Sequence, residues 1–190
     1  MSNRHFVFIE GSSRSGGNTA ALARRARANL PEGASSEWIN LLELPLRDFE
    51  DADDSESAPP IYPDGNEGTL LAATLRASDL VIASPLYWYS LSAPVKRYLD
   101  YWSTWLKIPG LGFRQQMAER TLWGITVGNT RNAEKASGLS TSLQLSAEYM
   151  GMHWGGFLYG TGDHPGDILR DEKALMAAER LFTPSFAAVG

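Results

Sequence analysis

Cysteine is absent from this chain. That excludes a disulfide framework, a zinc finger and a thiolate nucleophile. No run approaches the ~20 consecutive apolar residues of a membrane-spanning helix. The start of the sequence offers only a four-residue apolar run, Phe6 to Ile9, without the architecture of a secretory signal. Lysine and arginine never gather at the density of a nucleic-acid footprint, and Arg24, Arg25 and Arg27 read as the solvated face of a helix. The G-x-S-x-G elbow of hydrolases and the H-E-x-x-H metal motif are both missing. His5, His153 and His164 stand far apart and fit ordinary strand and turn positions. The expectation is a cytoplasmic protein with no catalytic side chain, no metal, no nucleic-acid partner and no membrane span.

The chain has 190 residues, 43% of them hydrophobic and 11% aromatic. That suits a single domain over 1–190, burying roughly 70% of its unfolded surface. The net charge of −5 is unevenly spread. Residues 1–47 sum to +2, residues 48–68 to −8 with no basic side chain, and residues 69–190 to +1. The acidity therefore belongs to one segment. Residues 45–68 also hold Pro45, Pro59, Pro60 and Pro63, which marks a long loop. Loops of this length in a compact domain are usually functional or mobile.

Apolar runs alternate with helical patterns along the rest. Phe6 to Ile9 reads as a strand ending at Gly11. Asn18 to Leu30 reads as a helix with Leu22, Ala23, Ala26 and Leu30 on one face and Pro31 as its stop. A strand is expected over 37–42, a helix over 68–78 and an apolar strand over 80–83. Ser92 caps a helix with Pro94 in its first turn, running to about Leu106. A strand over 121–127, a helix over 134–150, a strand over 152–159 and a helix over 170–182 complete the chain. Continuous apolar strands indicate burial on both faces. With right-handed crossovers, the result is a three-layer α/β sandwich with a flavodoxin-like, five-stranded parallel sheet of order 2-1-3-4-5. Its ligand crevice lies at the carboxyl ends of the strands, where three loops meet.

The first loop, Gly11 to Thr19, combines glycines, serines, Arg14 and a helix start. Converging N–H groups, hydroxyls and a guanidinium at a helix N-terminus make a cradle for a phosphate monoester. It is not a P-loop, because Gly17-Asn18 follows Gly16 where Lys-Ser/Thr would be needed, and G-x-G-x-x-G is also absent. The second loop, Ser84 to Ser90, carries Tyr87, Trp88 and Tyr89 in succession at a strand end, where all three cannot face a core. They can border a planar ring. The third loop, Gly128 to Asn132, offers a glycine for close backbone approach, with a plain polar turn as the alternative. A ligand with a phosphate at one end and a flat heterocycle at the other fits the set, and flavin mononucleotide (FMN) has that shape.

With these loops in place, the chain resembles the NADPH-dependent FMN reductase family and its flavodoxin-fold relatives, the quinone reductases and the iron–sulfur flavoproteins. Gly11-Ser12-Ser13-Arg14-Ser15-Gly16-Gly17-Asn18-Thr19 is similar to the family's G-S-x-R-x-x-(G)-N-T, and Ser84-Pro85-Leu86-Tyr87-Trp88 to its S-P-x-Y-W. Ala93-Pro94-Val95-Lys96 and Asp100 resemble its next helix opening, and Gly166-Asp167-Ile168 with the helix after it resembles its C-terminal part. The resemblance implies that Ser12, Arg14, Asn18 and Thr19 hold the FMN phosphate, with Ser15 and Gly17 also among the cofactor-binding residues. It implies that Pro85, Leu86, Tyr87, Trp88, Gly128 and Asn129 border the isoalloxazine. It also implies NADPH or NADH as donor, a small acceptor such as a quinone or a flavin, and a homodimer or homotetramer. The cycle would have two steps: hydride to flavin N5, then onward to an oxidant on the same face.

This sequence departs from its relatives in two places. It lacks the cysteine cluster of the iron–sulfur flavoproteins, and the acidic stretch 48–68 fills the corresponding region. Tyr89 is bulky where many relatives have a small residue. The acidic loop is expected to flank the crevice or a subunit boundary, so that neutralising it alters acceptor choice or oligomerisation but not FMN affinity. The helix from Ser92 has an apolar stripe of Val95, Tyr98, Leu99, Trp102 and Leu106, widened by Tyr101 and Trp105. That edge is either core or a subunit contact. A non-enzymatic flavodoxin-type electron carrier, or a module that binds flavin without turning over, are the alternatives.

Overall fold

A computed structural model describes residues 4–14, 16–50 and 61–183. The element order is β1 (His5–Glu10), α1 (Asn18–Arg27), β2 (Ser35–Asn40), α2 (Gly65–Arg76), β3 (Asp79–Ala83), α3 (Ala93–Lys107), α4 (Phe113–Met117), β4 (Thr121–Gly128), α5 (Ser137–Met150), β5 (His153–Thr161) and α6 (Glu172–Arg180). The five strands form one parallel sheet of order β2-β1-β3-β4-β5. None of the described helices is long and apolar enough to cross a membrane.

Alternation along each strand sends side chains to two separate cores. Phe6, Phe8, Val81, Ala83, Trp123, Ile125 and Leu158 face α1 and α6, with Leu22, Ala23, Ala26, Ala174 and Ala178 against them. Val7, Ile9, Leu80, Ile82 and Leu122 face the other layer, where α2, α3, α4 and α5 pack. Burial on both faces is why these strands read as unbroken apolar runs.

Boundaries shift where capping groups act. The first helix ends at Arg27, short of Leu30, and the Asn29 side chain donates to the Arg25 carbonyl at 2.9 Å. The second strand starts earlier than expected, at Ser35. Helix α2 begins at Gly65 instead of residue 68, so part of the acidic stretch is helical. The expected helix from 134 is a 3-10 turn, Ala133–Ala136, followed by α5. Asn132 caps that turn by accepting the Glu134 N–H at 3.0 Å. Helix α6 starts at Glu172, where the Asp171 side chain accepts the Ala174 N–H at 3.0 Å, and a 3-10 turn, Asp167–Arg170, precedes it. The short α4 was not foreseen; five residues are too few for a periodic pattern.

Helix α3 answers the question about its aromatic edge. Trp105 is fully buried, touches Phe113 edge-on and donates its indole N–H to Glu67 at 3.0 Å. Tyr101 packs edge-on against Phe49. Both belong to the chain's own packing, so the widened edge gives no argument for a subunit contact.

Residues 51–60, the centre of the acidic stretch, lie outside the described residues. Its flanks pack on α3: Arg97 pairs with Asp48 at 2.6 Å and donates to the Leu46 carbonyl at 3.1 Å. At the amino ends of the strands, buried Asp79 accepts from Arg4 Nε at 3.0 Å, Ser78 Oγ at 2.8 Å and Trp123 Nε1 at 3.0 Å.

Candidate functional site

The opposite, carboxyl ends of β1, β3 and β4 open into a cleft of about 390 Å³. Apart from Ser15, which lies outside the described residues, every residue expected to bind the cofactor lines this cleft. Ser12, Arg14, Gly17, Asn18 and Thr19 form one wall; Pro85, Leu86, Tyr87 and Trp88 form another; Gly128 and Asn129 close a third.

The first loop is held by a buried polar lattice. The Gly11 N–H donates to the Ala83 carbonyl at 3.0 Å, and Ser92 Oγ donates to the Gly11 carbonyl at 2.8 Å. Ser92 stands at the N-cap position of α3, as expected, but its hydroxyl serves the first loop and not the helix. A Cβ at Gly11 would stand 2.2 Å from Val95 Cγ2 and 2.7 Å from Ser92 Oγ, so only glycine fits. Ser12 Oγ accepts the Arg14 N–H at 3.2 Å and donates to the Arg14 carbonyl at 3.0 Å, curling the loop. Gly16 takes a left-handed φ of 72°, which glycine adopts without strain.

Helix α1 then starts without a side-chain cap, and its first internal bond is Ala21 N–H to the Gly17 carbonyl at 3.0 Å. The N–H groups of Asn18, Thr19 and Ala20 therefore have no acceptor among the described residues. The first turn carries no acid. Arg14 is exposed at the cleft, and its guanidinium has no hydrogen-bond or ion-pair partner among the described residues. Orphan donors, a positive helix end and a free guanidinium fit a phosphate.

Asn18 differs from the expectation for a phosphate ligand. Its Nδ2 donates to the His164 carbonyl and its Oδ1 accepts the Gly166 N–H, each at 2.9 Å. Both ends of the amide are committed, leaving its backbone N–H for the cleft. These bonds carry the segment 162–166 to the α1 terminus. Gly162, Asp163 and Pro165 become a fourth wall that the sequence reading missed. The discoverable signal was Gly162 at the carboxyl end of a strand in a parallel sheet. Asp167 steadies this wall by accepting the His164 N–H at 2.8 Å and the Asp163 N–H at 3.2 Å. Chiefly the His164 bond holds its carboxyl below the ordinary range.

The second loop is a tight turn. Tyr87 and Ser90 exchange backbone hydrogen bonds at 3.2 and 3.0 Å, leaving Trp88 and Tyr89 between them at φ 49° and 64°. Left-handed backbone costs an L-residue about 1–2 kcal/mol, and strained segments concentrate at functional sites. Trp88 is 93% exposed, so burial gives no compensation. The turn stands on fixed ground: Thr126 Oγ1 donates to the Ser84 carbonyl at 2.6 Å, and the Ser92 N–H donates to Ser84 Oγ at 2.9 Å. Tyr87 and Ser13 hydroxyls meet at 2.9 Å, tying the second loop to the first.

Gly128 was expected to make room for a ligand ring. A Cβ there would meet Tyr159 Oη at 2.5 Å and Leu86 Cδ2 at 3.2 Å, so the small residue admits protein groups. Tyr159 Oη donates to the Thr130 carbonyl at 2.5 Å and fixes the third loop. Burial pushes that phenol above its ordinary range.

The described cleft residues include no histidine or lysine, and one carboxylate, Asp163. A cleft built this way binds and orients a ligand that brings its own chemistry. Fold and site together define a flavodoxin-like α/β protein with an uncapped helix terminus facing an aromatic turn across one cleft. Residues 5–155 match the family model described as NADPH-dependent FMN reductase. The chain belongs to that family, a class of oxidoreductases that works with FMN and a reduced nicotinamide nucleotide. It is 35% identical over 181 residues to the NAD(P)H-dependent FMN-containing oxidoreductase YwqN of Bacillus subtilis strain 168, covering 94% of this chain and 97% of that protein. It is 30% identical to the iron–sulfur flavoprotein MJ1083 of Methanocaldococcus jannaschii, covering 92% of each. Among solved structures, the Trp repressor binding protein from Bacillus subtilis superposes with a TM-score of 0.75 at 31% identity, covering 94% of this chain and 97% of that one.

Proposed function

We propose that this protein is a cytoplasmic FMN-dependent NAD(P)H oxidoreductase that reduces quinones, flavins or similar small acceptors. One observation carries the reading: an uncapped α1 terminus with free Arg14 faces, across one cleft, an exposed aromatic turn. FMN held in this cleft would supply the redox chemistry, a two-step hydride transfer through its N5 from NAD(P)H to the acceptor.

The chain's own residues bind, orient and exclude. The N–H groups of Asn18, Thr19 and Ala20 and the Arg14 guanidinium receive the phosphate. Ser15 is assigned to the same cradle. Pro85, Leu86, Tyr87 and Trp88 border the ring on one side, with Gly128 and Asn129 on the other. No side-chain nucleophile is called for. The absence of cysteine rules out the cysteine-ligated cluster of the iron–sulfur flavoproteins. The acting form is assigned as a homodimer or homotetramer, as family resemblance implies. Sedimentation showing only monomer at micromolar concentration removes that part.

Anaerobic mixing of the FMN-loaded protein with NADPH and with NADH tests the reading. Bleaching of the flavin within seconds by at least one nucleotide, followed by recolouring on quinone addition, is the expected result. A flavin that stays yellow with both favours the electron-carrier alternative.

A further inference from the structure

The mouth of the cleft carries two residues, Tyr89 and Lys135, that cofactor binding does not use. Tyr89 lines the cleft and is 58% exposed in a left-handed conformation. Its carbonyl seats against the start of α5, where a Cβ on Gly138 would stand 2.8 Å away. Lys135, in the 3-10 turn after the third loop, places its ammonium 5.9 Å from the centroid of the Tyr89 ring. Among the described residues no carboxylate lies within ion-pair distance of Lys135. An exposed aromatic step beside an uncommitted cation therefore stands at the rim, next to the still more exposed Trp88.

We propose that Tyr89 and Lys135, beside the ring-bordering Trp88, form an outer subsite that selects planar aromatic acceptors bearing an anionic group, such as quinones with a sulfonate, a carboxylate or an ionised hydroxyl. The rings offer stacking area that water now covers. Lys135 offers the charge, and the cation–π contact keeps it at the step and away from open solvent. This deepens the reductase reading and rests on it. Selection here is a matter of binding: the same two electrons reach a neutral or an anionic quinone, and Lys135 changes only how well the anionic one is held.

The test uses the FMN-loaded protein and two probes, 1,4-naphthoquinone and 1,4-naphthoquinone-2-sulfonate. Without cysteine, no thiol adduct with the quinones can form. Dissociation constants come from equilibrium dialysis without reductant, and kcat and KM from steady-state assays. In Lys135→Gln, binding of the sulfonate weakens roughly 3- to 5-fold, as expected for one exposed charge. Its KM rises by the same factor, kcat is unchanged and the neutral quinone is unaffected. Raising ionic strength abolishes the wild-type preference and leaves K135Q unmoved. In Tyr89→Gly both quinones bind more weakly. Equal effects of K135Q on the two quinones, or none on the sulfonate, overturn the subsite. Normal turnover without a change in preference overturns the subsite and leaves the reductase standing. No turnover with any quinone or flavin overturns the reductase, and the dialysis result still decides the subsite.

Discussion

At the amino ends of the strands, Asp79 is enclosed by Arg4, Ser78 and Trp123, each donating to it, and Arg4 also donates to the Phe182 carbonyl at 3.2 Å. At the carboxyl ends, the Arg14 guanidinium and the first N–H groups of α1 have no partner among the described residues, and two aromatics hold a strained turn open to water. Both ends use polar groups and rings on the same sheet. The Asp79 cluster satisfies its groups internally and closes; the cleft leaves the Arg14 guanidinium and the α1 terminus without internal partners and stays open. Buried polar groups are normally satisfied, so an end where donors are left free and backbone strain is kept is where a ligand belongs. The contrast predicts that breaking the Asp79 cluster at the closed end changes stability without changing ligand affinity, and that removing a free donor at the open end does the reverse.

The largest expected effect lies at the closed end. Asp79→Ala strips three donors of their acceptor and should lower stability by about 3 kcal/mol, the low end for breaking a buried pair because Arg4 reaches solvent. That corresponds to a fall in Tm of roughly 6–12 °C. FMN affinity of the folded fraction should be unchanged in calorimetric titration; a parallel loss of affinity would erase the distinction between the ends.

Gly11→Ala tests the lattice joining the loops. Its new Cβ collides with Val95 and Ser92, with an overpacking cost of about 1–3 kcal/mol. Unlike D79A it should also weaken FMN binding, because relief requires the first loop to move off the third strand. Denaturant melts paired with FMN titration show whether both fall together.

Arg14→Ala removes a charge-assisted donor of about 1.5–3 kcal/mol, or roughly 10- to 100-fold in FMN affinity. Thermal stability of the ligand-free protein should stay within about 0.5 kcal/mol. Trp88→Gly has the smallest expected effect and the opposite sign. Glycine accepts the left-handed conformation, and the lost side chain was almost wholly exposed, so stability should rise by about 1 kcal/mol while acceptor turnover falls. A thermal melt that drops would show that the turn is packed more firmly than its exposure says.

The open end was largely legible in the sequence, for reasons that can be named, and the Asp79 cluster was not. Continuous apolar strands such as Leu80 to Ala83 encode a two-sided sheet, and the glycine-serine loop and the aromatic triplet fall at strand ends, where a parallel sheet gathers its loops. What stayed hidden depended on long-range partners. Asn18 looked like a ligand because its type suits phosphate; its bonds to His164 and Gly166 join residues nearly 150 positions apart. Trp105 looked surplus on its helix because Phe113, which covers it, sits on an α4 too short to show a period. Gly128 is read as allowing close backbone approach, and only the fold shows that Tyr159 and Leu86 also need the space a side chain there would take.

The central claim is that the open end recognises a phosphate at the α1 terminus. Calorimetric titration of the apoprotein with FMN and with riboflavin, which shares the ring and lacks the phosphate, tests it most directly. The account predicts FMN binding tighter by at least tenfold, with that advantage largely lost in Arg14→Ala. Equal affinity for the two flavins would contradict it.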